Sequence, residues 1–356
     1  MIDYGPGPAH DEFELVVFGP GYGEAAAIHL TEGVWALVDS CIDPHTNVPA
    51  GLSYLDRIGV SHDSVKIVVA THWHDDHVRG FARTAKACAA AEVQISGAFN
   101  SDEGAALLAA FSGRTNNGLS RGTQELLNAI DGRQFYHLHH RSVVHERTTS
   151  NGTGVAIRAF SPTQAAMTRS VAHFAQFLPQ AASLQPIRHV VPARANAEAV
   201  VLHVQVGDQS ILLGADLEEH ADYGWSALAA DPWVQDRLRA SAYKVAHHGS
   251  HTGDSEKTWS LLLDVRCTAV ATPFKHGNQR LPTEDDKSRL KARAGAVYLS
   301  SAASRRPSVP PQMLKGMSTK IQHLAPANAG FGAVRLRRKP GQDNWAGQCF
   351  GDAVRL

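Results

Sequence analysis

The sequence is short of several things, and each absence excludes a class. Its four cysteines, Cys41, Cys88, Cys267 and Cys349, are far apart and form no CxxC pair. That argues against a thiolate metal site and a disulfide-stapled scaffold, and it suits a reducing, cytoplasmic setting. Charge of one sign is not in excess either. With 34 basic and 34 acidic residues, nothing in the net balance advertises nucleic acid, although a local basic groove stays open. No apolar run approaches the roughly 18 residues that a membrane-spanning helix needs, so no membrane is expected. Met1 to Glu14 has neither a basic start nor an apolar stretch, and no signal peptide is expected there. Low-complexity tracts and a convincing linker are missing too. The expectation is one domain over 1–356, with a variable insert near 100–195 and a C-terminal hairpin near 330–356.

Histidine is what the chain has, 20 in all. Surface histidines are common, so the clustering matters more than the total. His72, His74 and His77 form one cluster, His137, His139 and His140 a second, and His247, His248 and His251 a third.

Alternation and short apolar runs predict strands at Phe13 to Phe18, Ala25 to Leu30, Val34 to Val38 and Ile67 to Ala70. Further strands are expected at Ala156 to Phe160, Ala242 to Ala246, Ala269 to Thr272 and Ala296 to Leu299. Hairpins are expected from Val200 to Leu213 across Gly207-Asp208, and from Val334 to Cys349. Helical spacing covers Leu52 to Ile58, Val78 to Ala90, Ala105 to Phe111, Thr123 to Ile130 and a stretch near Val171 to Phe177. Thr283 to Ala294 reads as a helix with a threonine N-cap and acids in its first turn. The pattern is α/β, with two sheets and outer helices.

The chemistry starts where the Ile67 to Ala70 run ends. Thr71-His72-Trp73-His74-Asp75-Asp76-His77 contains H-x-H-x-D-H, four ligand-type side chains in six positions at a strand end. Imidazole and carboxylate suit zinc and other first-row divalent ions. A tight loop can aim alternate residues apart, His72 and His74 to one ion, Asp76 and His77 to a second. Two such ions can share a hydroxide and clamp a phosphoryl or acyl oxygen. The bland alternative is a polar loop of no function.

Two later strand ends repeat the form. Ile211-Leu212-Leu213-Gly214-Ala215-Asp216 closes an apolar strand with a carboxylate placed to bridge both ions; alone it is as readily a turn or cap residue. Tyr243-Lys244-Val245-Ala246-His247-His248-Gly249-Ser250 ends in a histidine pair. One of the pair is expected to be a second-ion ligand and the other to touch substrate or protonate the leaving group; the alternative is two solvent-facing loop histidines. Lys275, His276 and Asn278 follow another strand and either reach the substrate or form a plain polar loop. His203, in mid-strand, reads as a core or surface histidine, and the His137 to His140 cluster as surface. Gly19-Pro20-Gly21-Tyr22-Gly23-Glu24 reads as a turn that lines the site rather than a nucleotide cradle, because Pro20 removes an amide donor.

H-x-H-x-D-H, then L-x-G-x-D-L, then K-V-x-H-H-G-S resembles the metallo-β-lactamase superfamily. Within it the chain is most similar to the hydrolase domain of ComEC-type competence proteins, without their membrane channel. The likeness runs from about Phe13 to Ala302. It implies an αββα four-layer sandwich with the metals at the sheet edges. It implies two divalent ions, zinc first and manganese as the alternative, on His72, His74, Asp76, His77, Asp216 and His247 or His248. It also implies hydrolysis through a metal-bound hydroxide, often of a phosphodiester, so that the substrate would be anionic, a small molecule or nucleic acid. Asp39 would sit beneath the metal loop and orient it; a plain turn Asp is the alternative. The chain departs from the family at two places. Arg79-Gly80 replaces the usual Gly-Gly, so Arg79 either binds an anion or is a surface residue. Asn196 or Glu198 stands where a third histidine for the first ion is usual, leaving that position weak or completed by Asn196, Glu198, water or His189. Lactonase, esterase or amidase activity is the alternative among enzymes. A degenerate metal-binding component of a larger defence or signalling assembly is the alternative outside them. Protein partners or a homo-oligomer are open to either.

Overall fold

A computed structural model describes residues 2–20, 23–99, 121–175, 195–276, 279–302 and 330–356. Two eight-stranded sheets dominate. The first runs, edge to edge, Ala346–Gly351, Phe331–Arg338, Phe13–Pro20, Ala25–Leu30, Trp35–Val38, Val65–Ala70, Glu92–Ser96 and Phe135–Leu138. The second runs Val354–Arg355, Ala296–Leu299, Leu263–Ala271, Ala240–Lys244, Gln209–Leu213, Leu202–Val206, Gly154–Ala159 and Val143–Thr148. Each sheet joins an antiparallel part to a run of four parallel strands.

Burial separates the layers. Leu15, Val17, Val69, Leu213 and Val270 pack between the sheets. The helices Ala50–Arg57, Phe81–Ala87 and Arg121–Ile130 contribute to a core on the outer face of the first sheet. Trp225, Val234 and Leu290, from the helices Trp225–Ala230, Pro232–Gln235 and Glu284–Arg293, pack on the second. This is the αββα sandwich. Strands covered on both faces read as continuous apolar runs, as in Ile67-Val68-Val69-Ala70. Ligand groups in such sheets collect beyond the carboxyl ends of parallel strands. Here those ends carry Asp39, Thr71, Asp216, His247 and Thr272.

Most expected elements are present within a residue or two. Four readings need correction. The helix expected from Val78 to Ala90 is two, Asp75–Val78 and Phe81–Ala87. Gly80 breaks it, left-handed at φ 84, and a Cβ there would meet Ile42 Cδ1 at 2.6 Å. Three strands, Glu92–Ser96, Phe135–Leu138 and Val143–Thr148, were not expected. His140 is no free surface histidine: its Nδ1 bonds the Phe160 carbonyl at 2.7 Å and its Nε2 bonds Asp231 at 2.5 Å. Lys275 and His276, expected either to reach the substrate or to form a plain polar loop, lie in a short strand, Phe274–His276, that pairs with Gln279–Leu281. The helix expected at Ala105 to Phe111, with His189 and Asn278, lies outside the described residues.

Two histidines away from the strand ends make stability depend on pH. His29 donates through Nδ1 to the Glu12 carbonyl while Nε2 accepts from the Gly33 amide. His203 lies flat on Phe160 and bonds the Leu238 carbonyl. Burial pulls both down to about 4. Above an unfolded value of about 6.5 both are neutral in either state and their stabilisation is fully present. As pH falls from about 6.5 to about 4 the unfolded chain takes up protons first, so stability is lost, by at most roughly 3 kcal/mol per residue. Urea midpoints in the presence of chelator are expected to fall across that window, and to fall less in His203→Gln. A flat profile, or an unaltered one in the variant, would reject the assignment.

Candidate metal centre

Five chain segments from both sheets meet at one edge. His72, His74, Asp76 and His77 lie on the turn after Val65–Ala70, which opens directly into the short helix Asp75–Val78. Asp216 and His248 follow the strands Gln209–Leu213 and Ala240–Lys244. The turns are tight: Asp39, Ala215, His247 and His248 are all left-handed, at φ 60, 44, 46 and 55. Non-glycine residues adopt this region at a cost of order 1–3 kcal/mol each, and they gather at functional sites. Gly23 permits a further close approach, since a Cβ on it would lie 2.0 Å from the Asp76 carbonyl oxygen.

Two groups of donor atoms converge on Asp216. His72, His74 and Asp216 form one, and Asp76, His77, Asp216 and His248 the other. His72 Nε2 is 3.2 Å from His74 Nδ1 and 4.0 Å from Asp216 Oδ2. His77 Nε2 is 3.4 Å from Asp216 Oδ1. His248 Nε2 is 3.1 Å from Asp76 Oδ2 and 3.6 Å from Asp216 Oδ2. His77 Nε2 and Asp216 Oδ1 are buried and outside hydrogen-bonding geometry. Buried polar atoms rarely stay unpaired, and such orphans call for an explanation. Imidazole nitrogens and carboxylate oxygens aimed at common points fit divalent cations. His74 and Asp76 are only partly buried, so the groups open on their side.

The remaining ring nitrogens face oxygens. His72 Nδ1 is 3.0 Å from Thr71 Oγ1, His77 Nδ1 is 2.8 Å from Asp39 Oδ2, and His248 Nδ1 is 3.1 Å from the Thr272 carbonyl. Asp39 also accepts from the Thr71 amide at 2.7 Å and the Thr71 hydroxyl at 2.8 Å. It therefore fixes both His77 and the start of the loop. Such partners orient ligands, and losing one typically costs 10–100-fold in metal affinity. Asp39→Asn is expected to weaken binding by about that factor in a chelator-competition titration. Unchanged affinity would remove Asp39 from the site.

Electrostatics divides the histidines. Burial holds His72 well below its ordinary value and lowers His74. Burial also acts to lower His77 and His248, but Asp216 and Glu24 outweigh it, lifting His77 well above the usual range and His248 to about 10. An incoming cation must therefore displace protons there, which makes affinity rise with pH.

The family described as "Metallo-beta-lactamase superfamily" matches residues 18–157, a span that includes the H-x-H-x-D-H turn. Over that span, less than half of the chain, the sequence is similar to that superfamily. Similar solved structures include the metallo-beta-lactamase SMB-1 bound to 2-mercaptoethanesulfonate, at 14% identity, covering 68% of this chain and 80% of that one, with a TM-score of 0.34. A HARLDQ-motif mutant of a Cronobacter sakazakii metallo-beta-lactamase shares 15% identity over 66% and 77%, with a TM-score of 0.35. The Rm3 metallo-beta-lactamase shares 12% over 68% and 81%, with a TM-score of 0.34. No curated protein matches. Among the described residues no helix is long and apolar enough to cross a membrane.

The structure sorts the residues expected from sequence. It gathers His72, His74, Asp76, His77, Asp216 and His248 and seats Asp39 beneath them. His247 belongs to neither donor group; its Nδ1 lies 2.7 Å from Thr252 Oγ1 and 3.2 Å from Glu218 Oε1. Asn196 stands beside it, Nδ2 being 3.4 Å from His247 Nε2. Glu198 turns away to bond Ser170, and burial pushes it up to about 7. Arg79 is exposed, on a cleft shared with Asp75, Gly122 and Glu125, so two acids temper its charge. Lys275 is exposed next to Phe274, whose ring stacks on His248 with centroids 4.8 Å apart. Neighbouring His276 has its backbone in the hairpin strand; its side chain lies outside the described residues.

Sequence reasoning placed Glu24 in a turn lining the site and Lys244 in the third motif, but gave neither side chain a role. The Lys244 ammonium bonds Glu24 Oε1 and, at 3.1 Å, the Ala215 carbonyl. Glu24 Oε2 lies 3.4 Å from His248 Nδ1. Both side chains are buried, and each keeps its charge because the partner outweighs desolvation. Glu24, Asp39 and His77 also form a donor group. Lys244 already supplies the cation beside Glu24, and Asp39 already accepts from His77. The available signal was a lysine inside an apolar strand, which needs a buried partner.

Proposed function

We propose that this protein is a hydrolase working with two divalent cations, zinc or manganese, on a phosphodiester such as a nucleotide or a short single strand. One observation carries the reading: two groups of metal-type donors meet at a single carboxylate, Asp216. Bound divalent ions in such a pair supply Lewis acidity and acidify water. The chain's own residues do the rest. His72 and His74 would hold one ion, Asp76, His77 and His248 the other, and Asp216 both. Asp39, Thr71 and the Thr272 carbonyl keep the rings aimed. His74 and Asp76 leave the side by which substrate enters. The phosphodiester is supported by the likeness of the three motifs to ComEC-type hydrolase domains, and exposed Lys275 at the rim suits an anion. The zero net charge favours a small substrate over long duplex DNA.

The test is metal content and turnover of protein purified without chelator. Substrates would be bis-p-nitrophenyl phosphate and single-stranded DNA, set against lactones, esters and a chromogenic β-lactam. About two ions per chain with phosphodiester turnover is the expected result. Turnover confined to the acyl compounds moves the protein to the lactonase, esterase or amidase reading. Less than one ion and no turnover makes it a metal-binding component of an assembly.

A further inference from the structure

We propose that the Asn196 side-chain oxygen is the fourth protein donor of the His72–His74–Asp216 group, and that His247 acts by holding that oxygen in place rather than as a ligand. The inference rests on the two-cation reading. The two groups are unequal: one gathers four donors and the other three. Asn196 lies on the short turn Ala195–Glu198, tied to the metal loop where the Val200 amide donates to the Thr71 carbonyl at 3.0 Å. Its other flank faces His247. Asn196 Oδ1 is buried and has no hydrogen-bond partner among the described residues.

A chain of bonds fixes which amide atom faces which way. Thr252 Oγ1 and Glu218 Oε1 both lie against His247 Nδ1, so that nitrogen carries the proton and donates. His247 Nε2 is then left as an acceptor, and Asn196 Nδ2 supplies the N–H. The amide cannot flip without facing lone pair to lone pair, so Oδ1 is kept free as a donor to a cation. Glu198, the other candidate for this place, is taken by Ser170. A neutral amide oxygen is a harder and weaker donor than imidazole. The group containing it should hold zinc less tightly than its neighbour and lose less ground with manganese.

Stepwise titration of Zn2+ and Mn2+ against a chromophoric chelator reads this without activity. Wild type is expected to show two steps. Asn196→Ala should weaken the weaker step at least about tenfold and leave the stronger one. Asn196→His should tighten the weaker Zn2+ step about tenfold while moving Mn2+ little. His247→Ala should cost that step only a few-fold. Loss of the step in His247→Ala but not in Asn196→Ala makes His247 the ligand and overturns the proposal. Unchanged steps in Asn196→Ala, with circular dichroism showing the fold retained, overturn it too. Wild type taking up no second ion would instead defeat the two-cation reading.

Discussion

Asp216→Ala is expected to empty both donor groups at once, and hydrolysis to fall by roughly 10^3-fold or more. The carboxylate is the one side chain common to the two groups, with Oδ1 towards His77 and Oδ2 towards His248 and His72. Its pKa reports the same crowding. Burial acts to raise it, but the charges on His248 and His77 outweigh that and hold it well below the ordinary range. A substitution elsewhere in the centre reaches less far. His74→Ala touches only the three-donor group and should leave the ion held by Asp76, His77 and His248. The contrast makes the result interpretable: metal content of both variants by mass spectrometry, alongside kcat on the best substrate of the panel. If Asp216→Ala retains both ions, the carboxylate is not shared and the two groups are separate sites.

The histidine turn was legible because chemistry and fold coincide there. An apolar run that can only be a strand covered on both faces ends in four ligand-type side chains. Asp216 and the His247-His248 pair were legible by the same rule at two more strand ends. Choosing between the two histidines was not: both are left-handed and their rings lie 6.3 Å apart, yet only His248 faces Asp76 and Asp216, and no local pattern encodes that. Edge strands were missed for a related reason. In Val143–Thr148 only Val144 is buried, which leaves no alternation to read. The helix breaks where Arg79 turns extended and Gly80 left-handed, and a glycine inside a helical pattern does not by itself say whether the helix stops or runs on. The Glu24–Lys244 pair joins one sheet to the other across most of the sequence. A lysine in a strand announces that a partner is needed without saying which.

That pair carries the second large effect. Lys244→Met should destabilise the fold by about 3–5 kcal/mol, because Glu24 loses its principal counter-charge between the sheets and keeps only the His77 and His248 rings beside it. Glu24→Gln should cost a similar amount by stranding the ammonium. The double variant, neutral and of nearly the same shape, should recover most of the loss, so the cycle should return a coupling of about 2 kcal/mol or more. Urea unfolding of the four proteins in chelator measures it, and additive single losses would show that the two charges do not depend on each other. Stability alone would not make the pair part of the site. Lys244 also donates to the Ala215 carbonyl, the residue whose left-handed turn aims Asp216, and Glu24 lies against His248. The refolded double variant is therefore expected to bind metal about tenfold more weakly than wild type despite its near-normal stability. Wild-type affinity in that variant would confine Glu24 and Lys244 to holding the sheets together.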